Sequence, residues 1–126
     1  MTMGRFSIAG EVHTQHKFTV SPGVEVHRHR FYGFNASGQL VKPADAATGR
    51  AFVYALQRAT GDAAATTRAL CAVSVIAVIP RATLTAADVG KTVYAVDEQS
   101  AATTDNGKPC GLLLGVTGPD ASILLR

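Results

Sequence analysis

The stretch that decides the fold is the last third of the chain, residues 84–126, which reads LTAADVGKTVYAVDEQSAATTDNGKPCGLLLGVTGPDASILLR. Residues 84–90 predict one helical turn, because Thr85 can serve as its N-cap and Gly90 can end it. Three apolar or alternating segments then predict strands, at residues 92–96, 112–116 and 122–125. The turn signals between them are Asp-Asn-Gly at 105–107 and Gly-Pro-Asp at 118–120. Short strands joined by tight turns favour an all-β protein.

The rest of the chain continues this organisation. Further predicted strands cover residues 12–20, 24–34, 52–57 and 70–79. Residues 70–79, LCAVSVIAVI, are apolar on both faces and predict one central strand. The predicted fold class is therefore all-β, a small β-barrel or sandwich with one or two short helical turns and an extended N-terminal arm. The 126 residues are expected to form a single domain, in which residues 1–10 are the arm.

Composition narrows the classes of function. Aromatic residues make up 6% of the chain and Trp is absent, whereas ligand pockets are usually lined by large apolar and aromatic groups. The net charge of +3 is spread thinly, which argues against nucleic acid as a partner. Only 17% of the residues are charged, so we expect partner proteins to cover part of the surface. The N-terminal residues lack the apolar centre of a signal peptide, so we expect synthesis in the cytoplasm and no membrane partner.

Candidate catalytic side chains lack partners in the sequence. Cys71 and Cys110 do not form a CxxC pair, and we expect two buried free thiols rather than a disulfide. No histidine lies near Cys110 in the sequence to act as its base. Asp97 and Glu98 are adjacent at a strand end and point to opposite faces, so they predict a solvated turn and not an acid–base pair. We therefore predict that the protein is not an enzyme and has no cofactor.

The pair His27 and His29 is the most specific local pattern for a binding site in this sequence. On the predicted strand of residues 24–34 both imidazoles point the same way, as two ligands of a metal site would. His13 and His16 lie on opposite faces of their own predicted strand, so only one of them could join. The other interpretation is a solvated or interface pair of histidines, and we favour it. A metal-binding β-barrel that uses His27 and His29 stays open as an alternative.

The same predicted strand carries Arg28 and Arg30 next to Phe31, Tyr32 and Phe34. Arginines and aromatics on one exposed surface are typical of modules that bind single-stranded nucleic acid. No second segment of the chain repeats this pattern. We favour the interpretation that the arginines grip a negatively charged neighbouring protein, and keep the nucleic-acid module as an alternative.

Three stretches resemble the capsid cement proteins, or head decoration proteins, of tailed bacteriophages. They are residues 31–45, FYGFNASGQLVKPAD, residues 84–97, LTAADVGKTVYAVD, and residues 102–104 followed by 111–116, ATT and GLLLGV. The first resembles a strand, turn and Ala/Thr/Asp connection of that family. The second resembles its helical turn leading into a strand, and the third its closing hairpin. The resemblance covers roughly residues 24–126 and is one of order and composition.

The resemblance implies a structural virion protein without cofactor or catalytic residues. Such a protein binds the outer surface of an assembled phage head as a homotrimer and clamps neighbouring capsomers, so its partner would be the major capsid protein. It would reside in the virion, and in the host cytoplasm during assembly. Another virion part, such as a head-fibre base or a tail component, stays open. The side chains expected at the capsid or subunit interface are those of the arm and the basic strand: Arg5, Phe6, Ile8, His27, Arg28, His29 and Arg30.

Overall fold

The structure, a computed structural model, describes residues 15–125, and the predicted arm at residues 1–10 lies outside them. The described residues form twelve strands and two short 3₁₀ turns, Pro43–Asp45 and Ala86–Asp88. The strands are β1 (Gln15–Thr19), β2 (Glu25–Val26), β3 (Phe31–Phe34), β4 (Leu40–Val41), β5 (Val53–Ala55), β6 (Ala59–Thr60), β7 (Arg68–Ala72), β8 (Val75–Pro80), β9 (Thr92–Asp97), β10 (Ser100–Ala102), β11 (Pro109–Thr117) and β12 (Asp120–Leu125). The all-β prediction is confirmed.

The strands are arranged as two five-stranded sheets and one two-stranded ribbon. The first sheet has the order β1-β7-β5-β3-β4, the second has the order β10-β9-β11-β12-β8, and the ribbon pairs β2 with β6. All these pairs are antiparallel. The described sheets stack as a sandwich and do not close into a barrel, so the sandwich form of the prediction is the one observed. None of the helical segments in residues 15–125 is long and apolar enough to span a membrane.

Two apolar clusters hold the sandwich together. The main core lies between the sheets, and its largest side chains are those of Phe31, Phe52, Leu84, Leu113, Ile123 and Leu125. The second core covers the opposite face of the first sheet, and it includes Val20, Val26, Tyr32, Leu40 and Val53. The first sheet is therefore buried on both faces. The second sheet is buried only on the face that it turns to the main core.

The segment predicted as one central strand, residues 70–79, is divided between the two sheets. β7 belongs to the first sheet and β8 to the second, and the chain bends between them at Ser74, whose φ is 59°. The prediction of a single strand was wrong because the apolar residues of this segment are not all buried in one sheet. Cys71 in β7 and Ala77 in β8 are buried, whereas Ile76 in β8 is exposed to solvent although it is apolar.

The strand predicted for residues 24–34 is likewise two short strands. β2 pairs with β6 in the ribbon, and β3 pairs with β4 and β5 in the first sheet. Between them the chain turns at His29, whose φ of 64° no regular strand adopts. The basic and aromatic residues of this segment therefore do not share one continuous strand.

The helical turn predicted at residues 84–90 is confirmed. Thr85 is its N-cap, and the backbone N–H of Thr85 donates a hydrogen bond of 3.0 Å to Oδ2 of Asp88. The backbone N–H of Asp88 donates in return to the carbonyl of Thr85, at 2.9 Å. The side-chain bond satisfies a backbone donor at the start of the turn, and the backbone bond is the i→i−3 bond that closes the turn.

Two glycines of β11 give a matched test of packing in the second sheet. A Cβ at Gly111 would overlap the backbone carbonyl of Leu124 on β12, whereas a Cβ at Gly115 would meet nothing. We expect Gly111→Ala to lower the free energy of unfolding by roughly 2–3 kcal/mol, because the backbone of β12 must shift. Gly115→Ala should change it by less than about 0.5 kcal/mol. Urea denaturation of both variants measures this, and equal stabilities would contradict the packing described for β11 and β12.

Candidate interaction surface

The structure separates His27 from His29. His27 follows β2, and its Nε2 lies 3.3 Å from Oε1 of Glu25. His29 lies in the turn, where its ring stacks on Tyr54 with ring centroids 5.8 Å apart. The expectation that both imidazoles leave one face of a strand was therefore wrong, since neither residue lies in a strand. Residues 15–125 contain no group of three or more His, Cys, Asp or Glu side chains that could hold a metal ion.

The aromatic residues next to the arginines are not exposed. Phe31 is fully buried in the main core and Tyr32 in the second core. A platform for stacking nucleobases needs exposed rings, which these two residues do not provide. Arg28 is exposed beside Arg58 in an open depression of about 480 Å³. Arg30 instead turns toward Glu98.

Glu98 is the centre of a polar cluster that the sequence did not predict. Its carboxylate accepts a hydrogen bond of 2.9 Å from the hydroxyl of Tyr32, and its backbone carbonyl accepts one of 2.7 Å from the N–H of Phe31. Nη1 of Arg30 lies 3.7 Å and Nζ of Lys42 4.0 Å from Oε1 of Glu98. Glu98 lies in a turn, as predicted, but the expectation that it is solvated was wrong, because its side chain is only 19% exposed. Glu98 ties the second sheet to the first.

Burial raises the pKa of a phenol and two thiols in the interior of the described residues. Burial raises the pKa of the Tyr32 phenol to about 12, with a further rise from its hydrogen bond to Glu98. Cys71 and Cys110 are buried free thiols, as predicted, and burial raises the pKa of each to about 12. Thiols with such a pKa remain protonated at neutral pH and are poor nucleophiles.

The loop that joins β10 to β11 makes hydrogen bonds to the first 3₁₀ turn. Nζ of Lys108 donates hydrogen bonds to the carbonyls of Pro43 and Ala44, at 2.7 and 2.8 Å. The ammonium group therefore holds the first 3₁₀ turn and does not project from the loop. A second open depression, of about 370 Å³, lies nearby and is lined by Arg50, Thr92 and Pro109 among others.

The feature that stands out is the solvent-facing side of the second sheet. Ile76 and Leu112 both lie directly opposite Leu124 across neighbouring strands, and Val78 and Leu114 are exposed beside them. We call these five residues the outer apolar face. On β8, β11 and β12 together, the one charged side chain is Asp120, at the start of β12. Exposed apolar side chains grouped in this way mark a candidate interaction surface.

Sequence reasoning missed the outer apolar face, although the signal was present. The run of residues 70–79 continues apolar at every position of β8, including those that face solvent. Of the interface residues predicted instead, Arg5, Phe6 and Ile8 lie outside the described residues. Comparison of the chain with protein-family models, curated proteins and solved structures gave no match. Function is therefore inferred from the surface itself.

The raised pKa of Tyr32 predicts a loss of stability at alkaline pH. The unfolded phenol titrates near its ordinary pKa of 10.0 and the folded one near 12, so the stabilisation is complete below pH 10 and is lost between about pH 10 and 12. We expect this to lower the free energy of unfolding by roughly 1–3 kcal/mol across that window. Tyr32→Phe should lack this component while it keeps those of Tyr54, Cys71 and Cys110, whose pKa burial also raises. Guanidinium denaturation at pH 9 and pH 12 compares the two proteins, and an equal decline in both would contradict the assignment.

Proposed function

We propose that this protein is a structural virion protein that binds the outer surface of a phage head and stabilises it by clamping neighbouring capsomers. The observation that carries the proposal is the outer apolar face. Three of its five side chains, those of Ile76, Val78 and Leu114, are exposed large hydrophobics. Water contact of this apolar surface is unfavourable by about 25 cal/mol per Å², so an assembled state that covers it is favoured.

The rest of the described molecule is also consistent with a protein whose function is to bind other proteins. The two depressions described above are open to solvent and do not enclose a ligand, and the buried thiols and phenol are held protonated. A protein that reinforces a shell acts by summing modest contacts over symmetric copies. A homotrimer bound to the major capsid protein would use the outer apolar face either between its own subunits or against the shell.

The exposed arginines add a second kind of contact to this proposal. Arg28 and Arg58 lie at one depression, and no ion pair within residues 15–125 neutralises either of them. Guanidinium groups at such a site match carboxylates of a neighbouring protein. Arg28 and His29 therefore stay predicted interface residues, while Arg30 and His27 already have acidic neighbours in Glu98 and Glu25.

The direct test is binding to expanded, undecorated capsids of the phage from which the chain comes. Purified protein is mixed with the capsids, bound protein is quantified after pelleting, and the particles are imaged by electron cryomicroscopy. We expect saturable binding, with density at three-fold or quasi-three-fold positions. Absence of binding by a folded protein would contradict the proposal, and zinc and oligonucleotide titrations would then test the metal and nucleic-acid alternatives.

Two valines provide a matched pair for the role of the outer apolar face. Val78 is 57% exposed and lies within the face, whereas Val96 is 54% exposed near the end of β9, on the same side of the second sheet but not among the five residues of the face. We expect Val78→Lys to weaken capsid binding at least tenfold, because a charge would be buried in the contact. Val96→Lys should bind within about twofold of the unchanged protein. Circular dichroism checks that both variants fold. Equal affinities of the two variants would show that the contact lies elsewhere on the protein.

A further inference from the structure

β8 is an edge strand of the second sheet, and its backbone has one unpaired side among residues 15–125. The N–H of Arg81 donates to the carbonyl of Pro119, 2.9 Å away, and these two residues continue the register in which β8 pairs with β12. Residues of an antiparallel strand bond alternately to one side and to the other, so Ala77 bonds to β12. The N–H and C=O groups of Ile76 and Val78 therefore point to the open side.

The edge at β8 differs from the other edges of the two five-stranded sheets. Open strands are commonly protected by charged side chains, by shortness or by bulges. β1 carries Lys17, β4 has two residues, and β10 has three residues and a register shift. β8 has six residues without a charge, and it pairs with β12 without a register shift. Among these edges, β8 is therefore the one best suited to accept another strand.

The side chains on this edge add an apolar surface to the unpaired backbone. Ile76 is 59% and Val78 57% exposed, the highest values among the large hydrophobic side chains of residues 15–125. They belong to the same two residues whose N–H and C=O groups point to the open side. A strand laid along β8 would bond to these backbone groups and would cover one flank of both side chains.

We propose that this edge pairs with β8 of a second copy of the chain, antiparallel about a two-fold axis at Ala77. Ile76 of one copy then lies opposite Val78 of the other, and each such pair exchanges two backbone hydrogen bonds. Together the two pairs use every N–H and C=O group that Ile76 and Val78 turn to the open side. A contact of this kind uses the same surface on both copies, so it closes on itself as a dimer.

Pro80 and the bend at Ser74 select the position of the axis. Pro80 has no N–H, and the alternation of β8 places this residue on the open side. With the axis at Ala77, Pro80 falls opposite Ser74, which lies before the first residue of β8. An axis at Val78 would leave the carbonyl of Ile76 opposite a residue without an N–H. An axis at Ile76 would leave Val78 opposite the bend.

The side chains of β8 fit a copy of themselves on both faces of the strand. On the main-core side Ala77, the smallest of them, meets its own copy at the axis, where two large side chains would compete for space. Val75 falls opposite Ile79 on that side, and Ile76 falls opposite Val78 on the solvent side, so every cross-strand pair is apolar. Neither copy brings a charge to the ladder, so no like charges lie opposite each other.

This pairing goes beyond the capsid binding proposed above and does not depend on it. A trimer is built from contacts between two different surfaces, whereas the pairing of β8 is a contact of one surface with itself. In the proposed shell the edge would therefore join copies that belong to neighbouring trimers. The same pair forms in solution without a capsid, so the two proposals are tested separately.

Amide hydrogen exchange followed by nuclear magnetic resonance tests the pairing with an internal control. The protein is measured at high and at low concentration, and sedimentation velocity gives its mass under both conditions. We expect the amides of Ile76 and Val78 to be protected in the dimer and to exchange at least tenfold faster in the monomer, because they lose their acceptors. The amides of Ala77 and Ile79, which bond to β12, should stay protected in both.

A point variant removes bonds of the pair and leaves the bonds to β12 in place. Val78→Pro deletes an N–H on the open side, and Pro80 already occupies the equivalent position two residues further along β8. We expect this variant to weaken self-association at least tenfold. Val78→Ile keeps the N–H and the apolar side chain, and it should associate within about twofold of the unchanged protein. Circular dichroism checks that both variants fold.

Three results would overturn the proposal. The first is free exchange of Ile76 and Val78 in the unchanged protein at every concentration. The second is protection of these amides in a protein that sediments as a monomer, which would assign the edge to another part of the same chain. The third is equal self-association of Val78→Pro and Val78→Ile, which would place the contact between copies on a different surface.

Discussion

The bend at Ser74 is the constraint on which the rest of the structure depends. Its φ of 59° turns one apolar run out of the first sheet and into the second. Such a value is uncommon for a residue with a side chain, so the surroundings must hold it in place. They do so because Cys71 on one side and Ala77 on the other are each fully buried in a different core. The two sheets therefore enclose the main core between them, and β8 becomes an edge.

Because of this division, the outer faces of the two sheets are covered to different extents, and this difference bears on function. The first sheet is covered on its second face by the chain itself, through Val20, Val26 and the ribbon. The second sheet receives no such cover from residues 15–125, and it turns Ile76, Val78 and Leu114 outward. The proposed assembly with other proteins would give a physical reason to keep such side chains at the surface. The ionisable groups inside the molecule serve the fold, as the contacts of Glu98 with Tyr32 and Phe31 show.

Much of the fold could be predicted from local pattern, and the errors have a common cause. Three strands of the last third, β9, β11 and β12, and the turn capped by Thr85 were predicted, because alternation and capping are local signals, whereas the short strand β10 was not. The division at Ser74 was missed because apolar and β-branched residues continue through it, and the division at His29 was missed because no Gly, Pro, Asn or Asp marks a turn in residues 27–30. The cluster at Glu98 could not be foreseen, since it joins residues 66 positions apart in the chain. The outer apolar face was hidden in the same way, because periodicity does not distinguish an exposed apolar side chain from a buried one.

The most direct test of this account asks whether the run of residues 70–79 is divided between two sheets. Nuclear Overhauser effects between α-protons are suited to it, because directly opposite residues without mutual hydrogen bonds bring these protons closest. The account predicts a contact from Cys71 to Ala55 within the first sheet and one from Ile76 to Leu124 within the second. A contact from the α-proton of Ile76 to a residue of β1 or β5 would show one continuous strand and would contradict the account.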